Sequence, residues 1–343
     1  MVEMQNRGAA PAPNPVLAEI WRGGMLECVH RGTAVICGPS GEVIEAWGDP
    51  ARVILPRSSC KMVQALPMVE SGAADAAGLS DRHLALATAS HNGAPVHTRL
   101  ALSWLQEIGL AEDDLRCGAQ IPGDRATRHV LLSENRAPGQ LHNNCSGKHS
   151  GMLTLNRHLG GGPEYVDPDH EVQKAIRTAT EETAREAITH HAIDGCSAPN
   201  FALSLQGLAT AMAGFARPDQ AFGGVRANAA RRLRDAMMAH PVLVAGEGRY
   251  STEMMQALGG RAAIKSGAEG VMIAILPEQG LGVALKIDDG AVRGARAAMT
   301  ALLTRLGVIE RDSPLHRKYA DAPILNFRGI DCGRLRAASV LAG

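Results

Sequence analysis

The chain has 343 residues, and its 35 Lys+Arg balance 35 Asp+Glu to a formal net charge of +0. That balance offers no broad basic surface for nucleic acid, and no stretch approaches the roughly 20 apolar residues of a membrane helix. Hydrophobic residues at 45%, aromatic residues at only 3% and 38 glycines describe a soluble globular chain with a core of Ala, Leu, Val and Met.

Residues 1–15, rich in Pro, Ala and Asn, read as a flexible leader without the apolar run of a secretion signal, so a cytoplasmic location is expected. Strand-like stretches follow at 16–22, 26–37 and 42–46, joined by Gly23-Gly24 and by Gly38-Pro39-Ser40-Gly41. From 59 to 71 the apolar positions Met62, Leu66 and Val69 predict a helix ended by Gly72. Helical patterns then occupy 81–90, 95–108, 128–134, 168–186 and 226–238. Strands return at 262–265, 271–276 and 282–286, before a helix at 291–306 and a last strand near 324–327 or 335–340. Strands at both ends with helices between predict an α+β fold, mixed α/β in content. One antiparallel sheet is built from residues 16–57 and 261–343, with a helical region at 58–260 packed beside it. The seven cysteines are odd in number, which argues against a disulfide framework in a reducing compartment.

Two lysine-containing motifs lie far apart: Ser58-Ser59-Cys60-Lys61 and Lys265-Ser266-Gly267. A serine three residues before a lysine shares its helical face, and a neutral amine there takes the hydroxyl proton. A second lysine nearby helps keep the first neutral by charge repulsion. The bland reading of Ser58 is an ordinary helix N-cap. A third element, Ser90-His91-Asn92-Gly93, reads equally well as a helix end. A fourth, His142-Asn143-Asn144-Cys145-Ser146-Gly147-Lys148-His149 followed by Asp194-Gly195-Cys196, is too polar for a core without partners. Cys145 and Cys196 are candidate soft ligands for Zn²⁺, with His142 or His149 as nitrogen donor; the alternative is two free cysteines and a capping loop.

In order along the chain, these segments and Glu27-Cys28-Val29-His30-Arg31-Gly32 resemble the asparaginase II family of thermolabile, rhizobial-type L-asparaginases, whose fold is serine β-lactamase-like. The resemblance runs from about residue 16 to the C-terminus, as a single catalytic domain over 16–343, and is most specific at Cys-Ser-Gly-Lys-His and Asp-Gly-Cys. It implies Ser58 as nucleophile with Lys61 as base, and a second pair of Ser90 and Lys265. It implies a Zn²⁺ held by Cys145, Lys148 and Cys196, and a homodimer. Arg57, His149 and Asp194 match positions lining the substrate pocket, with Asp194 expected to anchor the ammonium and Arg57 the carboxylate of L-asparagine. Hydrolysis to L-aspartate and ammonia would pass through an aspartyl ester. The rivals are another serine hydrolase of this fold, whether glutaminase, peptidase or esterase, and a zinc-stabilised binding protein without catalysis.

Overall fold

The computed structural model describes residues 13–342. Eight strands form the main sheet: β1 (Val16–Arg22), β2 (Met25–Cys37), β3 (Val43–Trp47), β4 (Ala263–Ser266), β5 (Val271–Leu276), β6 (Leu281–Ile287), β7 (Asp321–Leu325) and β8 (Asp331–Ala337). Their order is β7-β8-β1-β2-β6-β5-β4, with every neighbour antiparallel. The long β2 divides one edge between two partners, β1 along residues 25–31 and β3 along 34–37. The expected union of N- and C-terminal strands is therefore what the fold builds, and both alternatives for the last strand exist, as β7 and β8. Most of the expected leader lies outside the described residues, but Asn14 is tied down: its Nδ2 donates to Asp288 at 3.1 Å.

Nine helices matter for the site: α1 (Lys61–Glu70), α2 (Asp81–Ala87), α3 (Pro95–Glu107), α4 (Ser146–Leu159), α5 (Glu171–Ala184), α6 (Leu205–Ala216), α7 (Gly224–Ala239), α8 (Tyr250–Leu258) and α9 (Val292–Arg305). Gly72, at φ +82°, ends the α1 segment as its sequence predicted. The α4, α6 and α8 helices were not anticipated. In α4 every residue from Ser146 to Asn156 is buried, and α6 is apolar all round, so neither carries a one-sided 3.6-residue period. Two short strand pairs were also missed, Val53–Ile54 with Leu203–Ser204 and, within the helical region, His191–Ile193 with Pro199–Phe201.

Helices cover both sheet faces. Cys37 Sγ donates to Gln206 O of α6, and Gly282 leaves α6 room to approach β6. Seven residues before Cys37, His30 meets Gly294 of α9, where an added Cβ would lie 2.8 Å from the His30 Cβ. An odd separation along one strand puts the two contacts on opposite faces. No described helix is long and apolar enough to cross a membrane. All seven cysteines are free thiols.

Candidate active site

The Ser58 segment is a 3₁₀ turn, Arg57–Cys60, that leads into α1. Arg57 sits in the left-handed region at φ +56°, a costly conformation for a residue with a Cβ. Its surroundings hold it there. Asn200 Oδ1 accepts from Arg57 N at 3.2 Å, and Asp194 Oδ1 accepts from Nε at 3.1 Å and Nη2 at 2.7 Å. Asp194 belongs to the same loop as Cys196, so this ion pair ties the Ser58 turn to the cysteine loop. The strand end at Gly267 presses on the same turn, leaving 2.7 Å between a built Cβ and Pro56 O.

Lys61 opens α1 and is 1% exposed. Its amine donates to Ala89 O, to Ser90 Oγ at 3.1 Å and to Cys145 Sγ at 3.1 Å. Lys265 reaches in from β4, also 1% exposed, and donates to Ser90 Oγ at 2.6 Å and Ser266 O at 3.1 Å. Two buried amines therefore converge on one hydroxyl. Burial, and then the Lys61 charge, push Lys265 well below its usual pKa, so Lys265 is a base at Ser90. The expected Ser90–Lys265 pair is present. The expected Ser58–Lys61 contact is replaced: among the described residues Lys61 is bonded to Ser90, and Ser58 Oγ, half-buried, makes no hydrogen bond. The three donors of a lysine amine are all used at Ala89, Ser90 and Cys145, which is the physical reason.

Ser58 and Ser90 line one cleft of about 470 Å³, together with Asn92, Arg249, Ser266 and Arg296. A depression of about 660 Å³ beside α9 and β8 carries none of the serine or lysine motifs. Ser90 is fixed by Ser90 N donating to Val244 O at 2.9 Å.

Behind the lysines lies the cysteine cluster. Cys145 precedes α4, Lys148 and His149 occupy its first turn, and Cys196 comes from the loop between the short strands at 191–193 and 199–201. Lys148 Nζ donates to Cys196 Sγ at 3.1 Å. The neighbouring Cys196 sulfur and burial push Cys145, whose thiol donates to Asn144 Oδ1 at 2.8 Å, well up, while the adjacent Cys145 and the Lys148 charge push Cys196 far down. Burial opposes protonation of Lys148, but the charges of Cys196 and Cys145 outweigh it and raise its pKa. Burial lowers His149 to about 4. Its Nδ1 bonds Tyr165 Oη at 2.9 Å, while its buried Nε2 has no hydrogen-bond partner. Gly147 lets α4 lie against the end of α2: a Cβ there would meet Leu86 Cγ at 2.5 Å. That contact joins the cysteine helix to the loop that carries Ser90.

Arg57 and Asp194, expected as separate anchors for substrate, are instead each other's partners, and neither lines the cleft among its described residues. His149 is likewise buried behind it, 0% exposed. Sequence reasoning missed Arg249 and Arg296, which sit on ordinary-looking helical segments with no motif around them. It also gave no role to the 27–32 segment. His30 Nδ1 bonds Asp289 Oδ2 at 2.6 Å, Arg293 Nε donates to His30 Nε2 at 2.9 Å, and Asp289 Oδ1 accepts from Ala291 N at 2.9 Å. That network anchors the first turn of α9, and hence the wall of the cleft.

The sequence matches the family described as L-asparaginase II over residues 18–337. No curated protein sequence matches the chain. Among solved structures, a β-lactamase from Mycobacterium bovis is 15% identical over 80% of this chain and 94% of its own, with a TM-score of 0.45. Mglu in its native form is 14% identical over 83% of this chain and 66% of its own, with a TM-score of 0.45. An L-glutamate-binding form of Mglu is 15% identical over 82% and 63%, again at 0.45.

Proposed function

The chain belongs to the L-asparaginase II family, a family of amidohydrolases, and from that premise we propose that it hydrolyses the side-chain amide of L-asparagine to L-aspartate and ammonia. The observation that carries this reading is the meeting of two buried lysine amines at Ser90 Oγ, in the cleft that Ser58 also lines.

Ser58, a cleft-lining serine whose hydroxyl makes no hydrogen bond among the described residues, is the proposed nucleophile. It lies three residues before Lys61, across the junction of the 3₁₀ turn with α1. Lys61 gives a proton through Ser90 Oγ to the Lys265 amine and takes the Ser58 proton in its place, and Lys265 then passes its proton back through Ser90 toward the departing ammonia. Lys265, held neutral by burial and by Lys61, is the acceptor that lets the chain run. The aspartyl ester on Ser58 is then released by water activated through the same groups.

The cysteine cluster fits a zinc ion. It offers two adjacent sulfurs, the Lys148 amine 3.1 Å from Cys196 Sγ, and a buried His149 Nε2 without a partner. Among the described residues no conventional group of three or more His, Cys, Asp or Glu is arranged for a metal, so Lys148 would have to join Cys145 and Cys196 as a ligand. Its proton would leave on binding. Bound there, zinc would supply positive charge beside Lys61. The chain's own part is to hold both thiols against α4 and to keep water out.

The test is ammonia release from L-asparagine and L-glutamine by the wild type and by Ser58→Ala. Release from L-asparagine that Ser58→Ala abolishes supports the reading. Silence of the folded wild type on both amides moves it to another acyl substrate.

A further inference from the structure

Beyond the serine–lysine centre, the cleft is lined by cations, and the Glu253 carboxylate that feels the Arg296 charge from outside the lining is bonded to Lys318 and Tyr319. Arg128, Arg249 and Arg296 line the cleft, and none of its described lining residues is Asp or Glu. Arg128 is committed, donating from Nε at 3.1 Å and Nη2 at 3.0 Å to Pro122 O. Arg249 and Arg296 make no side-chain hydrogen bond or ion pair with any described residue. Arg249 caps α8, Arg296 stands in the second turn of α9, and partial desolvation together with the Arg296 charge lowers the proton affinity of Arg249. Like charges converging on a concave surface are unfavourable unless an anion joins them. A planar guanidinium fork matches a carboxylate. The Arg296 end is also held rigidly, because His30, Asp289 and Arg293 fasten the first turn of α9. At the other charge, the cleft offers nothing: Asp194 is spent on Arg57.

The geometry points to Arg249 and Arg296 as a carboxylate-binding subsite of this cleft, so that its substrates are small amides bearing a free carboxylate, with the amino group dispensable. The inference rests on the amidohydrolase reading and deepens it. It separates two analogues of asparagine. Succinamate keeps the carboxylate and lacks the amine; β-alaninamide keeps the amine and lacks the carboxylate.

The experiment measures ammonia release from L-asparagine, succinamate and β-alaninamide by wild type, Arg249→Gln and Arg296→Gln, with thermal melts confirming folding. Succinamate is expected to stay within about tenfold of L-asparagine in kcat/KM, while β-alaninamide falls about a hundredfold or more, as the loss of charge-assisted hydrogen bonds implies. Each arginine variant is expected to raise KM for L-asparagine about tenfold with kcat little changed, and to leave β-alaninamide unaffected. Preference for β-alaninamide over succinamate, or unchanged KM in both variants, overturns the subsite. If no amide is hydrolysed, calorimetric titration of succinate decides separately. Binding lost in the double variant upholds the subsite while the catalytic reading falls, and equal binding in wild type and variant overturns the subsite.

Discussion

Gly147→Ala isolates the contact that joins the cysteine helix to the Ser90 loop. An added Cβ would lie 2.5 Å from Leu86 Cγ and 2.8 Å from Leu86 C, and Leu86 is 0% exposed, so the neighbour that must give is the backbone at the end of α2. Overpacking of a core costs about 1–3 kcal/mol, and a backbone neighbour places this case at the upper end. Alanine returns about 1 kcal/mol of helix propensity over glycine. A net loss of about 2 kcal/mol is expected. Gly151 in the same helix is the internal control. Its Cβ would meet Met68 Sδ at 3.3 Å, Ala87 Cβ at 3.5 Å and Trp104 Cη2 at 3.7 Å, contacts close to ordinary packing with a flexible side chain nearest. Gly151→Ala therefore keeps most of the propensity gain, and the two variants should differ by about 3 kcal/mol. Urea denaturation at constant slope reads the difference. Because Ser90 follows Leu86 by four residues, Gly147→Ala should also lower kcat. Equal midpoints for the two variants would refute the packing argument.

Further outcomes follow from the same groups. Burial makes Lys265 lose its proton at lower pH in the fold than in the unfolded chain, where it stays charged up to a pH near 10.5, so between the two values the unfolded state binds more protons and stability rises with pH toward 10.5. Activity should rise over the same approach and level off well below pH 10.5, and Lys265→Met should erase the limb in a pH–rate profile. Asp194→Asn removes the charge that holds Arg57 in its left-handed conformation. A loss of about 1–3 kcal/mol in a denaturant melt is expected, with a fall in kcat as the Ser58 turn relaxes; an unchanged melt would show that the pair does not hold the turn. Cys145→Ser should lower zinc content measured by elemental analysis, and unchanged content would remove Cys145 from the ligand set.

The sheet was legible because its strands are bounded by Gly-rich turns and confined to the two chain ends. Helices with one apolar face, such as α5 and α7, were legible because burial on one side leaves a period, whereas α1, buried almost throughout, was marked by the Gly72 that ends it. The α4 and α6 helices were not, because they are buried on all sides and a period needs a solvent face. In the site, Ser58, Lys61, Ser90 and Lys265 were found from motif spacing, and the structure gathers Lys61, Ser90 and Lys265 by hydrogen bonds and Ser58 by the shared cleft. Local spacing predicted a Ser58–Lys61 contact, yet Lys61 is claimed by Ala89 and Ser90 from a distant loop, a choice made by tertiary packing. Arg57 and Asp194 could be read as charged pocket residues but not as partners of one another, since 137 residues separate them. Arg249 and Arg296 announce themselves only once α8 and α9 close around one cleft.

The most direct measurement is acid quenching of the enzyme during turnover of L-asparagine, followed by peptide mass spectrometry. The account predicts an aspartyl ester on the peptide containing Ser58, absent in Ser58→Ala and depleted when Ser90→Ala slows attack. Steady ammonia release with no ester on Ser58, or with the ester on Ser90, would contradict the assignment of Ser58 as nucleophile and of Ser90 as the relay between two lysines.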